Sequence, residues 1–200
     1  MSTRLFFTSL TGILLEPRIG GSAFIGGVAA WPVRKDGRPL VLIASIPNSF
    51  ISNATGLRLA PELYTSVFSY YSEVDFFLDE ITYHGTQDEL ESLRRGNTKV
   101  IQHPLGSSRT HSVSIPPRWL ELGESPLENS DCGSLIGDPP CLLQNEVLDV
   151  RGISFALQLR SSDFPEKFNG IFGPLDALGY LYLQEDSESL DNGLFFVQTT

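Results

Sequence analysis

A glycine-rich loop that leads into an apolar strand occurs twice in this chain. The first copy carries Arg18, Ile19, Gly20 and Gly21, then Gly26 and Gly27, and closes on Trp31 and Pro32. After an Asp36-Gly37 turn signal comes the apolar run 39–46. The second copy carries Cys132, Gly133, Ile136, Gly137 and Cys141, and is followed after Arg151-Gly152 by the run 154–159. Glycine frees the backbone from the steric limits of other residues, so each loop can reverse tightly before its strand. The two copies predict an α+β fold that is strand-rich and largely antiparallel, with an internal duplication of the loop-plus-strands unit and few short helices. With 200 residues, 41% of them hydrophobic, the chain suits a single domain over 1–200, made of two related halves, approximately 1–120 and 131–200.

Local signals fill in the frame. Short strands are expected at 4–10 and 13–16 around Gly12, and a loop rich in Asn, Ser and Gly at 48–61. The aromatic stretch 64–80 reads as a hairpin filling the core rather than a base-stacking platform, because Glu73, Asp75, Asp79 and Glu80 would repel phosphate. Residues 86–95 form the clearest helix. Thr86 followed by Glu89 makes a capping box, the acids sit in the first turn, Arg94 and Arg95 sit in the last, and Gly96 stops it. Strands are expected at 98–102, 111–115, 154–159, 179–184 and 194–198. Residues 119–131 are acidic and read as an exposed linker between the halves.

The chain has 24 acidic against 14 basic side chains, a formal charge of -10. That balance argues against nucleic acid as a partner and for a basic protein. The apolar stretch 5–15 is broken by Thr8, Ser9, Thr11 and Gly12 and is too short to span a bilayer, so no membrane partner and a cytoplasmic location are expected. Cys132 and Cys141 are the two cysteines; they suit a reducing compartment as free thiols, or close one loop as a disulfide, and the sequence leaves both open.

The order of these motifs resembles the YwqG-like (DUF1963) family of uncharacterised bacterial proteins. The resemblance rests on Arg18 to Gly21 with Trp31-Pro32, the strand after Gly37, and the second glycine loop ending at Gln144. It continues through the strand with Gln158, the segment from Phe172 to Leu183, and the final strand from Phe195. The chain departs from the family at Ile136-Gly137, where a Gly-Gly pair is expected, and at Pro174 and Leu175. The resemblance implies no reaction. Some relatives resemble components of toxin-immunity loci, which implies protein binding.

No constellation for chemistry is evident. His84, His103 and His111 lie in separate segments without metal-ligand spacing, and no nucleophile elbow or phosphate loop occurs, so no catalytic residue, metal or cofactor is expected. The expectation is a non-enzymatic protein that binds a basic partner, an immunity-type protein that neutralises a toxin. Its candidate contacts are Glu121, Glu124, Glu128 and Asp131, and Glu185, Asp186, Glu188 and Asp191. The alternative is a small-ligand binder or an enzyme with a cleft between the halves. There Arg18 would take an anion, Trp31 a planar or apolar group, and Gly20 and Gly21 would form the rim. Oligomeric state is not legible.

Overall fold

Ten strands form one antiparallel sheet whose two ends curl together. The computed structural model describes residues 2–9, 15–126, 132–144 and 148–200, without the side chains of 124–126. The strands are β1 (Thr3–Thr8), β2 (Arg18–Ile19), β3 (Ala23–Ile25), β4 (Val41–Pro47), β5 (Tyr64–Ser69), β6 (Thr98–His103), β7 (Leu105–Arg109), β8 (Arg118–Pro126), β9 (Leu135–Ile136), β10 (Ser154–Arg160), β11 (Leu178–Leu183) and β12 (Leu194–Gln198). The main sheet runs β12-β11-β10-β9-β1-β8-β2-β4-β5-β6, and β3 pairs with β7 in a separate ribbon. Helices α1 (Asn48–Thr55), α2 (Leu78–Ile81) and α3 (Gln87–Ser92) are short. The α+β, mostly antiparallel character read from the sequence is present.

The last strands show why this end of the sheet is apolar at nearly every position. Along β12, Phe195 and Val197 join the large core on the inner face, while Leu194 and Phe196 join a second cluster on the outer face with Tyr83, Leu135, Tyr180 and Tyr182. Successive side chains point to opposite faces, so a strand covered on both sides is apolar throughout. Leu181 and Tyr180 on β11 divide in the same way, as the alternation predicts.

The ends of the sheet meet beside Gly193. Thr98 Oγ1 on β6 donates to the Phe195 carbonyl of β12 at 2.6 Å, Asn192 N donates to Val100 O at 3.3 Å, and Gln102 N to Leu190 O at 2.9 Å. Beyond β12, Tyr83 N donates to Val197 O at 3.1 Å. These bonds occupy backbone groups that an open edge would present to another chain.

Several expectations are corrected. The acidic stretch at 119–131 is not an irregular linker: its first part is β8, in the middle of the sheet, paired with β1 and β2. Its acids misled because a paired strand can also carry exposed acids; Trp119 and Leu120 are buried while Glu121 and Leu122 are exposed. Residues 127–131 lie outside the described residues. Residues 48–61 begin with α1, which buries Ile51 and ends on Gly56 in the left-handed region. Its Asn, Ser and Thr residues disguised that helix. The glycine loop contains β3, which pairs with β7, and residues 111–115 form no strand, with prolines 116 and 117 following directly. Of 13–16, residues 13 and 14 lie outside the described residues and Glu16 is in the turn before β2. The aromatic stretch 64–80 supplies β5 and then leaves the sheet, and Val74 and Phe76 do not enter the core.

The capping box is present. Glu89 N donates to Thr86 Oγ1 at 3.3 Å, and Thr86 N to Glu89 Oε2 at 3.1 Å. Glu89 Oε2 also accepts from His84 N at 2.9 Å, so the box ties α3 to the preceding loop. Thr86→Ala should lower stability by about 1 kcal/mol, read as a lower urea midpoint at unchanged m-value.

Candidate functional site

The outer face of β2, β4, β5 and β6 carries a buried polar row. Register places Arg18 beside Ser45 on one side and Trp119 on the other, and Ser45 beside Ser66. Paired residues share a face. Arg18 is 1% exposed. One of its terminal nitrogens donates to Ser22 O, and its guanidinium lies 5.6 Å from the Phe24 ring centre. Burial brings its pKa down to about 10, against the opposing pull of Tyr64. Among the described residues no carboxylate pairs with it, and its Nε and the Trp119 Nε1 are buried donors without acceptors.

Ser66 Oγ lies 2.8 Å from His103 Nε2, and His103 Nδ1 lies 2.8 Å from the Pro104 carbonyl. A carbonyl only accepts, so Nδ1 carries the proton and Nε2 accepts from Ser66. Ser66 has one hydroxyl proton; the 3.1 Å contact with Ser45 Oγ is therefore filled by Ser45 donating to Ser66. A serine on a histidine held by a third group has the connectivity of an activated nucleophile. Yet Ser66 and His103 are both 0% exposed, so here the arrangement satisfies buried polar groups.

Burial, the largest effect, and the Arg18 charge lower the His103 pKa from its ordinary value of 6.5, against the Pro104 hydrogen bond. A lowered native pKa means that the unfolded chain takes up the proton first. His103 therefore costs nothing above 6.5, and stability falls as pH drops below 6.5 until the lowered native value is passed. His103→Gln should flatten the loss of unfolding free energy between about pH 7.5 and about pH 5, a slope of up to about 1.4 kcal/mol per pH unit; identical pH profiles for the two proteins would count against this environment.

Of the other ligand candidates, Gly21 lies against Arg18, since a Cβ there would sit 3.4 Å from Arg18 Nε, whereas Trp31 is placed apart from this row. Trp31 Nε1 donates to Leu40 O at 2.8 Å, and its ring packs edge-on against Phe68 at 5.5 Å. No contact joins Trp31 to Arg18 among the described residues. Gly20 has φ 56° and a Cβ there would meet Ile115 O at 2.4 Å, while one at Gly21 would lie 3.1 Å from Pro117. Both glycines let the loop approach 115–117.

The acids also divide. Glu121 is exposed, lies across from Phe6, and accepts from Thr8 Oγ1 at 2.9 Å. The Glu124 side chain, Glu128 and Asp131 lie outside the described residues. Glu185 and Asp186 hold Arg58, the latter at 2.7 Å, and Asp191 holds Lys99 at 3.1 Å. Glu188 is exposed. Asn192 closes this turn by accepting from Gln184 N at 3.0 Å and donating to Gln184 O at 3.1 Å.

The outer face of β10 and β11 is used to hold a loop. Cys132 and Cys141 form a disulfide with a Cα separation of 5.4 Å, which resolves the alternative left open by the sequence. Gln158 accepts from Cys141 N and donates to Gly133 O, both at 2.8 Å, and Tyr180 Oη donates to Cys141 O at 2.8 Å. Burial pushes the Tyr180 hydroxyl pKa upward, and pushes that of Tyr182 up to about 12. Among the described residues, no three His, Cys, Asp or Glu side chains gather as a metal ion would need, and no helix is long and apolar enough to cross a membrane.

Two exposed apolar groups escaped the sequence reading. Phe6 projects from the middle of the sheet, and Phe76 projects with Val74 from the loop after β5. The alternation of acid and apolar residues from Glu73 to Phe76 was the available signal for the loop. Neither a protein-family model nor a curated protein matches this chain.

Proposed function

We propose that this protein is a non-enzymatic binder of a basic protein and meets its partner on the open middle of the sheet. One observation carries the reading: Phe6 is 48% exposed in a central strand, directly across from the exposed Glu121. A half-exposed aromatic beside a carboxylate offers an apolar anchor with a charged flank. The net charge of -10 would speed encounter with a cationic partner. An immunity-type protein that neutralises a toxin fits this reading and the resemblance to the YwqG-like family. The disulfide fits an oxidising compartment, so a cytoplasmic location would suit the reduced dithiol form.

The test compares wild type with a Phe6→Asp/Glu121→Lys variant as baits in native low-salt co-purification with quantitative mass spectrometry. A specific basic protein should be enriched by wild type and depleted at least about tenfold with the variant. Recovery of no specific protein by wild type sinks the reading.

We also propose that the two ends of the sheet are copies of one unit. β2-β4-β5-β6 runs outward from β8 as β9-β10-β11-β12 runs outward from β1. Ile19 pairs with Ala44 as Ile136 pairs with Leu157. Gly20 N donates to Ile43 O at 2.9 Å, and Gly137 N to Ala156 O at 2.8 Å. The register shifts at the same place in each copy, between Leu42 and Ala44 and between Phe155 and Leu157. These matches make Gly137 the counterpart of Gly20. An experimental structure in which a rotation exchanging β1 with β8 fails to superpose these strands would contradict the duplication.

A small anionic ligand is the second reading, favoured by the Arg18 Nε that lacks an acceptor beside the Trp119 donor. It requires Arg18→Ala to weaken an anionic ligand at least about tenfold. Unchanged affinity removes Arg18 from any site.

A further inference from the structure

We propose that a cleft over the outer face of β10 and β11 binds a small organic cation, a protonated amine carried on an apolar body. The cleft measures about 440 Å³ and lies between the loop that follows α1, the disulfide-closed loop and the start of β10. Leu57, Pro140, Ile153 and Phe155 give it apolar walls, and Asp138 and Tyr182 give it polar groups. Concave, largely apolar sites with a few polar groups are where small molecules bind.

Three tyrosines share the outer cluster, and their hydroxyls are treated differently. Tyr83 Oη accepts from Asp149 N at 2.9 Å, and Tyr180 Oη donates to Cys141 O at 2.8 Å. Tyr182 is 5% exposed, yet among the described residues its hydroxyl has no hydrogen-bond partner. A buried tyrosine hydroxyl ordinarily finds one; this residue lines the cleft instead. Burial first, and then the Asp138 charge, push its pKa up to about 12, so the hydroxyl stays protonated and can both donate and accept. The ring stacks on Phe196 at 5.8 Å and meets Phe155 edge-on at 5.4 Å, which fixes the hydroxyl in place.

Asp138 selects the sign of the ligand. It is exposed, and among the described residues no ion pair holds it. The cations that neighbour the cleft in sequence are engaged elsewhere: Arg58 is shared by Glu185 at 3.3 Å and Asp186 at 2.7 Å, and Arg151 is held by Asp149 at 2.8 Å. An open carboxylate repels an anion and gives a neutral ligand no counter-charge. An ammonium group has three donors, enough for the Asp138 carboxylate and Tyr182 Oη together, while its apolar body covers the walls. Those walls are held in shape. Thr55 Oγ1 donates to Ile51 O at 2.8 Å and accepts from Leu57 N at 3.1 Å, and Asp186 N donates to Arg58 O at 3.0 Å. The opposite wall is tied down by the disulfide and by Gln158. A site formed beforehand loses little conformational freedom on binding. The cleft shares no residue with the Phe6 and Glu121 surface or with the Arg18 row.

The probe is 2-phenylethylamine, compared with phenylacetate and 2-phenylethanol, each titrated calorimetrically into the full chain with its disulfide intact. Wild type should bind the amine saturably, with a Kd below about 1 mM and at least about tenfold more tightly than either control. Asp138→Asn should weaken the amine at least about tenfold, and Tyr182→Phe should weaken it without lowering the thermal midpoint. Glu16→Gln, which removes an exposed carboxylate before β2, should leave the affinity unchanged. No saturable binding by wild type overturns the proposal, as does equal affinity for either control, unchanged affinity in Asp138→Asn or Tyr182→Phe, or an equal loss in Glu16→Gln. Should Tyr182→Phe lower the thermal midpoint, Asp138→Asn decides, because that side chain is exposed. The result stands whatever the bait experiment returns.

Discussion

Gly193→Ala should destabilise the protein by about 3–4 kcal/mol, because this glycine lies where β6, β11 and β12 converge. Its φ is +129°, a conformation that side chains with a Cβ rarely adopt, and a Cβ there would lie 2.3 Å from Tyr182 O and 3.3 Å from Val100 Cγ1. The first contact is with backbone and cannot be relieved by a rotamer change. Gly152→Ala is the control. It has φ +80° with nothing within 4 Å of the added carbon, so only the backbone preference is lost, about 1 kcal/mol. Urea unfolding of both variants separates conformational preference from collision. Equal losses would mean that the seam between the sheet ends is looser than the structure has it.

Losses as large are expected from Phe195→Ala and Phe196→Ala, about 3–5 kcal/mol each. Phe195 packs 5.7 Å from Phe172 on the inner face, and the added carbon at Gly179 would sit 2.5 Å from its ring. Phe196 stacks on Tyr180 and Tyr182 at 5.3 and 5.8 Å and meets Tyr83 edge-on at 5.3 Å on the outer face. Two adjacent residues with large losses require a strand buried on both sides. Phe6→Ala, in the middle of the same sheet, should cost about 1 kcal/mol or less, since half of the ring is already in water. Should either alanine variant fail to fold, the corresponding leucine substitution gives a smaller, measurable loss.

The elements whose sequence pattern agrees with their burial were the legible ones. β10, β11 and β12 are apolar on both faces, and α3 announces itself through Thr86 and Glu89, because the signals there are local. β8 was missed because its partners, β1 and β2, lie far away in sequence, and the exposed Glu121 imitates a linker. α1 was missed because burial of Ile51, not residue preference, stabilises it. At the site, Arg18 was legible as an unusual charge, but its burial away from Trp31 follows from sheet register, which the sequence does not display. The acids at 185–191 were read as partner contacts from charge alone, and three of the four named there are ion-paired within the chain.

Hydrogen–deuterium exchange on the native complex tests the protein-binding account most directly. The partner recovered at low salt is retained on the wild-type protein, and exchange is compared with that of the free chain. The account predicts added protection on β1 and on the Trp119 to Gly123 part of β8, lost together with the partner as salt rises. Protection confined to other strands, or no partner to retain, would contradict it.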